Sequence, residues 1–201
     1  MEERALSKSA AILVALAAER QMSAYEMVRV LKAVNLSRWF PVSESSIYVT
    51  ARNLEEKGLL AGRAVQDGNM PEKTVYAVTG AGRKALARTL NAFLSSGDAG
   101  NPEFDIAMLF LCALPRDEAL ACLERREARL IAEIDRARKE HARLSKDSGI
   151  GFAGTLMVRH NQYLKEAELK TVRELIAEVT DARRWDWFVT DLLARMKETQ
   201  R

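Results

Sequence analysis

The feature that most restricts the fold is a change of hydrophobic period near residue 59. Ile47, Ala51 and Leu54 stand at i, i+4 and i+7, one face of a helix. Ser43 precedes this stripe as an N-cap candidate. Gly58, just after Lys57, suits the left-handed residue that ends a helix. From Leu59 to Gln66 the helical period is lost. Asp67-Gly68-Asn69 is a tight-turn signal, and Pro71 sits in the loop after it. Thr74-Val75-Tyr76-Ala77-Val78 is β-branched and aromatic, as a returning strand should be.

Two shorter helices are expected upstream. Leu6 to Ala18 is alanine-rich, with Leu6, Ala10, Leu13 and Ala17 at helical intervals, and Gln21-Met22 break it. Ser23 and Glu26 form a capping box for a helix from Ala24 to Ala33, expected to bury Tyr25, Val28 and Leu31 or their neighbours. A connection from Asn35 to Val42, containing Pro41, leads to Ser43. Downstream, Thr79 caps a fourth helix that runs to about Leu94. Helix, helix, helix, hairpin, helix is the order of a winged helix-turn-helix with a two-stranded wing, assigned to residues 1–96.

Ser95 to Asn101 is rich in Ser, Gly and Asn and reads as a boundary. Residues 97–201 then read as helical: Pro102 to Leu111, Asp117 to Leu144, Phe152 to Val179, and Trp185 to Met196 after punctuation at Thr180-Asp181. Ser148 to Gly151 marks a break between the two long helices. The fold class expected is therefore mainly α, a winged helix-turn-helix followed by an all-helical dimerisation domain. Leu123, Glu127, Leu130, Ile134, Ala137, His141 and Leu144 alternate spacings of four and three, as a coiled-coil seam does. Leu156, His160, Leu164, Ala167, Val172, Ile176 and Val179 form a second stripe. Leu123, Leu130, Ile134, Leu144 and Leu164 are the expected homodimer contacts. Packing of the two helices on each other within one chain is the alternative.

Composition narrows the function. Apolar residues make up 48% of the chain and charged residues 29%, enough for a core and for solubility. No apolar run approaches the roughly 18 residues of a membrane span, and Glu2, Glu3 and Arg4 do not suit a secretory leader. The expected location is the cytoplasm, with no membrane partner. Residues 1–96 carry thirteen Lys and Arg against nine Asp and Glu, whereas residues 97–201 carry eighteen against nineteen. A basic front half joined to a near-neutral back half suits a nucleic-acid module on an assembly module. Cys112 and Cys122 form no CxxC pair and read as small buried hydrophobes. No nucleophile elbow, phosphate loop or zinc motif is present, so neither an enzyme nor a metal or cofactor site is expected.

In a helix-turn-helix the third helix meets base edges with its N-terminal residues. Here that turn offers Ser43, Ser45, Ser46 and Tyr48, with Arg52 one turn further on the side away from Ile47 and Leu54. Arg63 on the first hairpin strand and Lys73 near the tip supply wing cations. Double-stranded DNA is the expected partner. Each residue also has an ordinary role open to it: Ser43 as a helix cap, Tyr48 as a half-buried packing residue, Arg52 as a solvated helix cation. A helical adaptor without DNA binding is the rival function.

The segments Ser43-Glu44-Ser45-Ser46-Ile47-Tyr48, Leu54-Glu55-Glu56-Lys57-Gly58-Leu59 and Tyr76-Ala77-Val78-Thr79-Gly80-Ala81-Gly82-Arg83 resemble the PadR family of transcriptional regulators. Residues 6–90 carry most of the resemblance. Residues 103–175 resemble the helical C-terminal domain of the family's longer subgroup. Ala24, Val49 and Glu72 depart from its pattern, and Glu72 lowers the charge of the wing. The resemblance implies a homodimeric repressor, bound to a palindromic operator and released by a small aromatic or drug-like ligand. Trp39, Phe104, His160 and Tyr163 are the ligand-contact candidates, because aromatics gather near the junction of the two halves and His160 with Tyr163 can meet a phenol or carboxylate.

Overall fold

The computed structural model describes residues 5–33, 43–66, 72–95, 99–146, 152–187 and 189–190. The expected connection through Trp39 and Pro41, the turn at Asp67-Gly68-Asn69 with Pro71, and the break at Ser148 to Gly151 lie outside these residues. Among them the order is α1 (Lys8–Glu19), β1 (Met22–Ser23), α2 (Ala24–Ala33), α3 (Glu44–Glu56), β2 (Leu60–Val65), β3 (Lys73–Val78), α4 (Gly80–Ser95), α5 (Pro102–Leu109), a 3-10 turn (Leu111–Ala113), α6 (Arg116–Leu144) and α7 (Phe152–Thr180). Residues 182–187 are helical again, three residues ahead of the expected start at Trp185, and the expected end at Met196 lies outside the described residues. The result is a mainly helical winged helix with a small antiparallel sheet and a helical C-terminal region.

α1 is apolar on every side. Ala10 through Ala17 are all buried, because α3, α4, α5 and β3 surround this helix. A helix hydrophobic all round can only be the centre of a core. The small alanines let its neighbours come close. The same buried cluster continues through Phe104, Leu111 and Leu123 to Val172 and Val179, across the boundary expected near residue 96.

The hairpin gains a third strand that the sequence reading missed. β1 pairs with β3 through Met22↔Tyr76 and Ser23↔Val75, giving the order β1-β3-β2. Met22 does end α1, as expected, but it does so by becoming a buried strand residue. β2 and β3 pair from Leu60↔Val78 to Val65↔Lys73.

The capping box forms as expected. The Ser23 hydroxyl accepts the Glu26 N–H at 3.3 Å, and the Glu26 carboxylate accepts the Ser23 N–H at 2.6 Å. Partial burial pushes the Glu26 carboxyl up, but its Ser23 hydrogen bonds, Lys73 and Arg20 outweigh this and hold it below its ordinary value. Within α2 one expectation fails. Tyr25 is 61% exposed, and Met27, Val28, Val30 and Leu31 make the buried face instead. Tyr25 is the second residue of the helix, in its first turn.

The joint between α3, the sheet and α4 explains the Thr-Gly-Ala-Gly segment. Gly58 ends α3 at φ 68°, and the chain turns into β2. The Thr79 hydroxyl donates to the Gly58 carbonyl at 2.7 Å and accepts the Gly82 N–H at 3.0 Å. Thr79 thus caps α4 and ties it to the end of α3. Gly82 sits against the Leu59 carbonyl, in the space a Cβ would need.

α6 and α7, each 29 residues and so about 43 Å long, pack antiparallel. Lys165 meets Glu133 at 3.3 Å, Arg173 meets Glu127 at 2.7 Å, and Arg116 donates to the Val179 carbonyl at 2.7 Å. This overturns most of the expected dimer seam. Leu123 and Leu130 are fully buried, and Ile134 and Leu144 are 4% and 7% exposed, all within the one chain. A heptad period reports that a face is covered; α7 folds back and covers it. Of the expected contacts only Leu164 remains open, at 40% exposure.

Two outcomes follow for stability. Gly82→Ala is expected to destabilise by about 1–3 kcal/mol, since the clash is with backbone that cannot swing away; chemical denaturation measures it, and an unchanged midpoint refutes the close approach. Glu26→Ala is expected to cost about 1 kcal/mol at neutral pH. A lowered carboxyl contributes its stability above its unfolded value, near 4.5, and loses it as the pH falls through the lower folded value. The gap between wild-type and variant melting temperatures should therefore narrow below about pH 4.5; a constant gap removes the charge from the cap.

Candidate nucleic-acid interface

α3 presents two faces. Ile47, Ala51 and Leu54 are buried, and each large side chain so covered contributes roughly 1.5–3 kcal/mol. Ser45, Tyr48, Val49 and Arg52 stand at i, i+3, i+4 and i+7 on the opposite side, and all four are exposed. Tyr48 is 47% exposed, half open to solvent and half in contact with the fold. Val49 belongs to the same stripe at 59% exposure and was not singled out from the sequence. Its place follows from the spacing, one residue beyond Tyr48.

The first turn of α3 is built from hydroxyls. Ser43 is the N-cap; its oxygen accepts the Ser46 N–H at 3.2 Å. Ser46 donates its own hydroxyl to the Ser43 carbonyl at 2.7 Å and is thereby used in the turn. Ser43 and Ser45 share a hydrogen bond at 3.1 Å, both at the surface. The N–H groups of the first turn and these hydroxyls gather where the helix dipole is positive, a setting that favours an anion. Lys32 of α2 forms an exposed ion pair with Glu44 at the start of α3.

The wing cations differ from one another. Arg63 lies exposed on β2 opposite Val75. Lys73 begins β3 opposite Val65, and its ammonium lies 3.8 Å from the Glu26 carboxylate. The capping residue of α2 thus also holds a wing cation beside α2. Glu72, next to it, is exposed.

Of the expected ligand residues, Phe104 does not come together with His160 and Tyr163. Trp39 lies outside the described residues. Phe104 is 3% exposed, covered by the Arg126 guanidinium 4.2 Å above its ring. His160 and Tyr163 stand in solvent on the first half of α7, on a stripe with Phe152, Leu156, Met157 and Leu164. Sequence proximity to the junction suggested one pocket. The antiparallel pairing carries His160 eight residues, about 12 Å, beyond Glu168, the α7 residue nearest Phe104 through Arg126. A groove of about 820 Å³ does lie between α6 and α7, floored by Ile131, Ile134, Leu169 and Ala177 with charged side chains along its rim.

Burial makes both cysteines poor nucleophiles. It pushes the Cys112 thiol up to about 12, with Glu19 adding to the effect, and it raises Cys122 as well. Among the described residues no three His, Cys, Asp or Glu side chains gather as a metal site, and no helix is long and apolar enough to cross a membrane.

Solved structures that match the chain include Bacillus subtilis PadR in complex with operator DNA, 18% identical, covering 88% of this chain and 99% of that one at a TM-score of 0.43. Streptococcus mutans UA159 smu.1604c is 22% identical over 84% of this chain and 98% of that one, TM-score 0.40. The PadR-like transcriptional regulator BC1756 from Bacillus cereus is 19% identical over 86% and 98%, TM-score 0.36. A search of curated protein sequences gives no match. The profile of the Transcriptional regulator PadR-like family matches residues 12–88, from α1 into α4. Over the helices and sheet that surround α3, the chain is similar to the PadR-like family of transcriptional regulators.

Proposed function

We propose that the protein is a DNA-binding transcriptional regulator that acts as a homodimer, with α3 as its reading helix. The observation that carries this is the two-sided character of α3. One side is anchored by Ile47, Ala51 and Leu54, and the other offers Ser45, Tyr48, Val49 and Arg52 to solvent on a rigid rod. Such a rod fits the major groove: Arg52 and Tyr48 reach base edges or phosphates, and Val49 supplies an apolar contact of the kind a thymine methyl takes. Ser43 and Ser45 with the free N–H groups of the first turn hold a phosphate, and Arg63 holds another from the wing.

The second copy covers α7. Phe152, Leu156, Met157, Tyr163 and Leu164 are all at least 40% exposed along a run of thirteen residues, beside Ile131 of α6. An apolar stripe of that length on a water-soluble chain marks an interaction surface. A two-fold axis lets the same stripe meet itself, which closes the assembly at two. Two α3 helices then face one duplex about one turn, roughly 34 Å, apart, and select a palindrome. Repression of that operator, relieved by a small aromatic ligand, completes the reading and rests on the similarity of residues 12–88 to the PadR-like family.

Three measurements test this. Tyr48→Ala is expected to weaken operator binding by tenfold or more with the fold unchanged, read by gel shift and circular dichroism; equal affinity removes Tyr48 from the reader. Wild-type affinity should fall roughly 10³-fold between 50 and 200 mM salt, and a flat response with no shifted band marks an adaptor instead. Leu156→Asp with Leu164→Asp should lower the mass by light scattering to that of one 22.5 kDa chain; an unchanged dimer refutes the α7 interface.

A further inference from the structure

Arg126 is a large side chain removed completely from solvent. Its Nε lies 2.8 Å, and its Nη2 2.6 Å, from one oxygen of Glu168 on α7. Its Nη1 donates to the carbonyls of Phe93 at 3.2 Å and Leu94 at 3.1 Å, in the last turn of α4. Its flat face covers the Phe104 ring of α5. The other Glu168 oxygen accepts the Gly100 N–H at 2.9 Å, in the connection between α4 and α5. One buried ion pair therefore touches α4, that connection, α5, α6 and α7.

A buried pair is a poor device for stability, because the lost hydration of both ions offsets most of their attraction. It is a strong device for geometry. A planar guanidinium donates only along fixed directions, and here those directions lead to two different elements at once. The α4 carbonyls it binds are the orphan acceptors at the negative end of a helix. α4 packs on α1, and α1 packs on α3, so the angle set at Arg126 is passed to the reading helix through close-packed contacts.

We infer that Arg126 is a positioning residue for DNA recognition: by clamping the end of α4 to α7 through Glu168, it fixes how far apart the two α3 helices of a dimer stand. This rests on the proposed function, since it concerns the spacing of two readers on one operator. Side chains that merely filled the same volume would keep the core packed and leave the angle between α4 and the long helices loose.

The test selects DNA from a library of paired half-sites with randomised spacing, using the full-length protein. Wild type is expected to favour one spacing over those one base pair away by about tenfold. In Arg126→Met with Glu168→Leu, which replaces the pair by apolar side chains, that ratio should drop below about threefold, with the half-site sequence and the dimer mass unchanged. A folded, dimeric variant that keeps the wild-type spacing ratio overturns the inference. If the double variant does not fold, Arg126→Lys decides on the same ratio, because lysine keeps the charge beside Glu168 but cannot fork to both carbonyls. Wild type that enriches no DNA overturns the DNA-binding reading itself, whereas enrichment of a palindrome with no change in either variant overturns the clamp alone.

Discussion

The structure depends on the burial of α1. Eight consecutive residues, Ala10 to Ala17, are buried, so every neighbouring element must supply an apolar face to them. α3 does so with Ile47, Ala51 and Leu54, and this fixes its rotation. Once those three point inward, the helical repeat forces Ser45, Tyr48, Val49 and Arg52 outward. The candidate interface is therefore a consequence of core packing. The same core extends into α5 and α6, so the two halves read from the sequence share one apolar interior.

Much of this was legible in the residues because it is governed by local chemistry. The bounds of α2, the Ser43 cap, the Gly58 stop, the Thr79 cap and the α3 stripe depend on hydrogen bonds and periodicity within a few positions. Strand β1 was not legible. It has two residues, and its only reason to be extended is pairing with Tyr76 and Val75, more than fifty positions away. Tyr25 was misplaced because it lies at the first turn of α2, where the buried face is chosen by α3 and not by the helix itself. Burial of Arg126 was invisible for a related cause. A charged residue in a helix such as α6 reads as solvated unless its partners are known, and those partners stand on α4 and α7.

The long helices show the limit of a periodic signal most clearly. Leu123, Leu130, Ile134 and Leu144 are covered as the heptad spacing requires, but by their own chain. On α7 the expected stripe divides. Its second half, with Val172 and Val179, is buried in the core beside α6, while its first half, from Phe152 to Leu164, faces water. A single amphipathic pattern thus serves two purposes along one helix. His160 and Tyr163 fall on the open half, which is why they line an outer face and not a cavity near Phe104.

The charge on the reading surface argues for the importance of geometry between copies. Arg52 and Arg63 are exposed near α3, but Lys73 lies beside Glu26, and Glu72 adds a negative charge to the wing. Few cations mean few phosphate contacts, and phosphate contacts supply most sequence-independent affinity. A single winged helix of this kind would hold DNA weakly. Two copies linked at a fixed distance convert the second contact into an intramolecular step, which multiplies affinity only if both fit together. On the proposed reading, binding is then governed less by the strength of either α3 than by the angle between α4 and the long helices. Among the described residues the buried charges are concentrated at that joint, and small changes in the packing of α6 and α7 would reach the DNA through it.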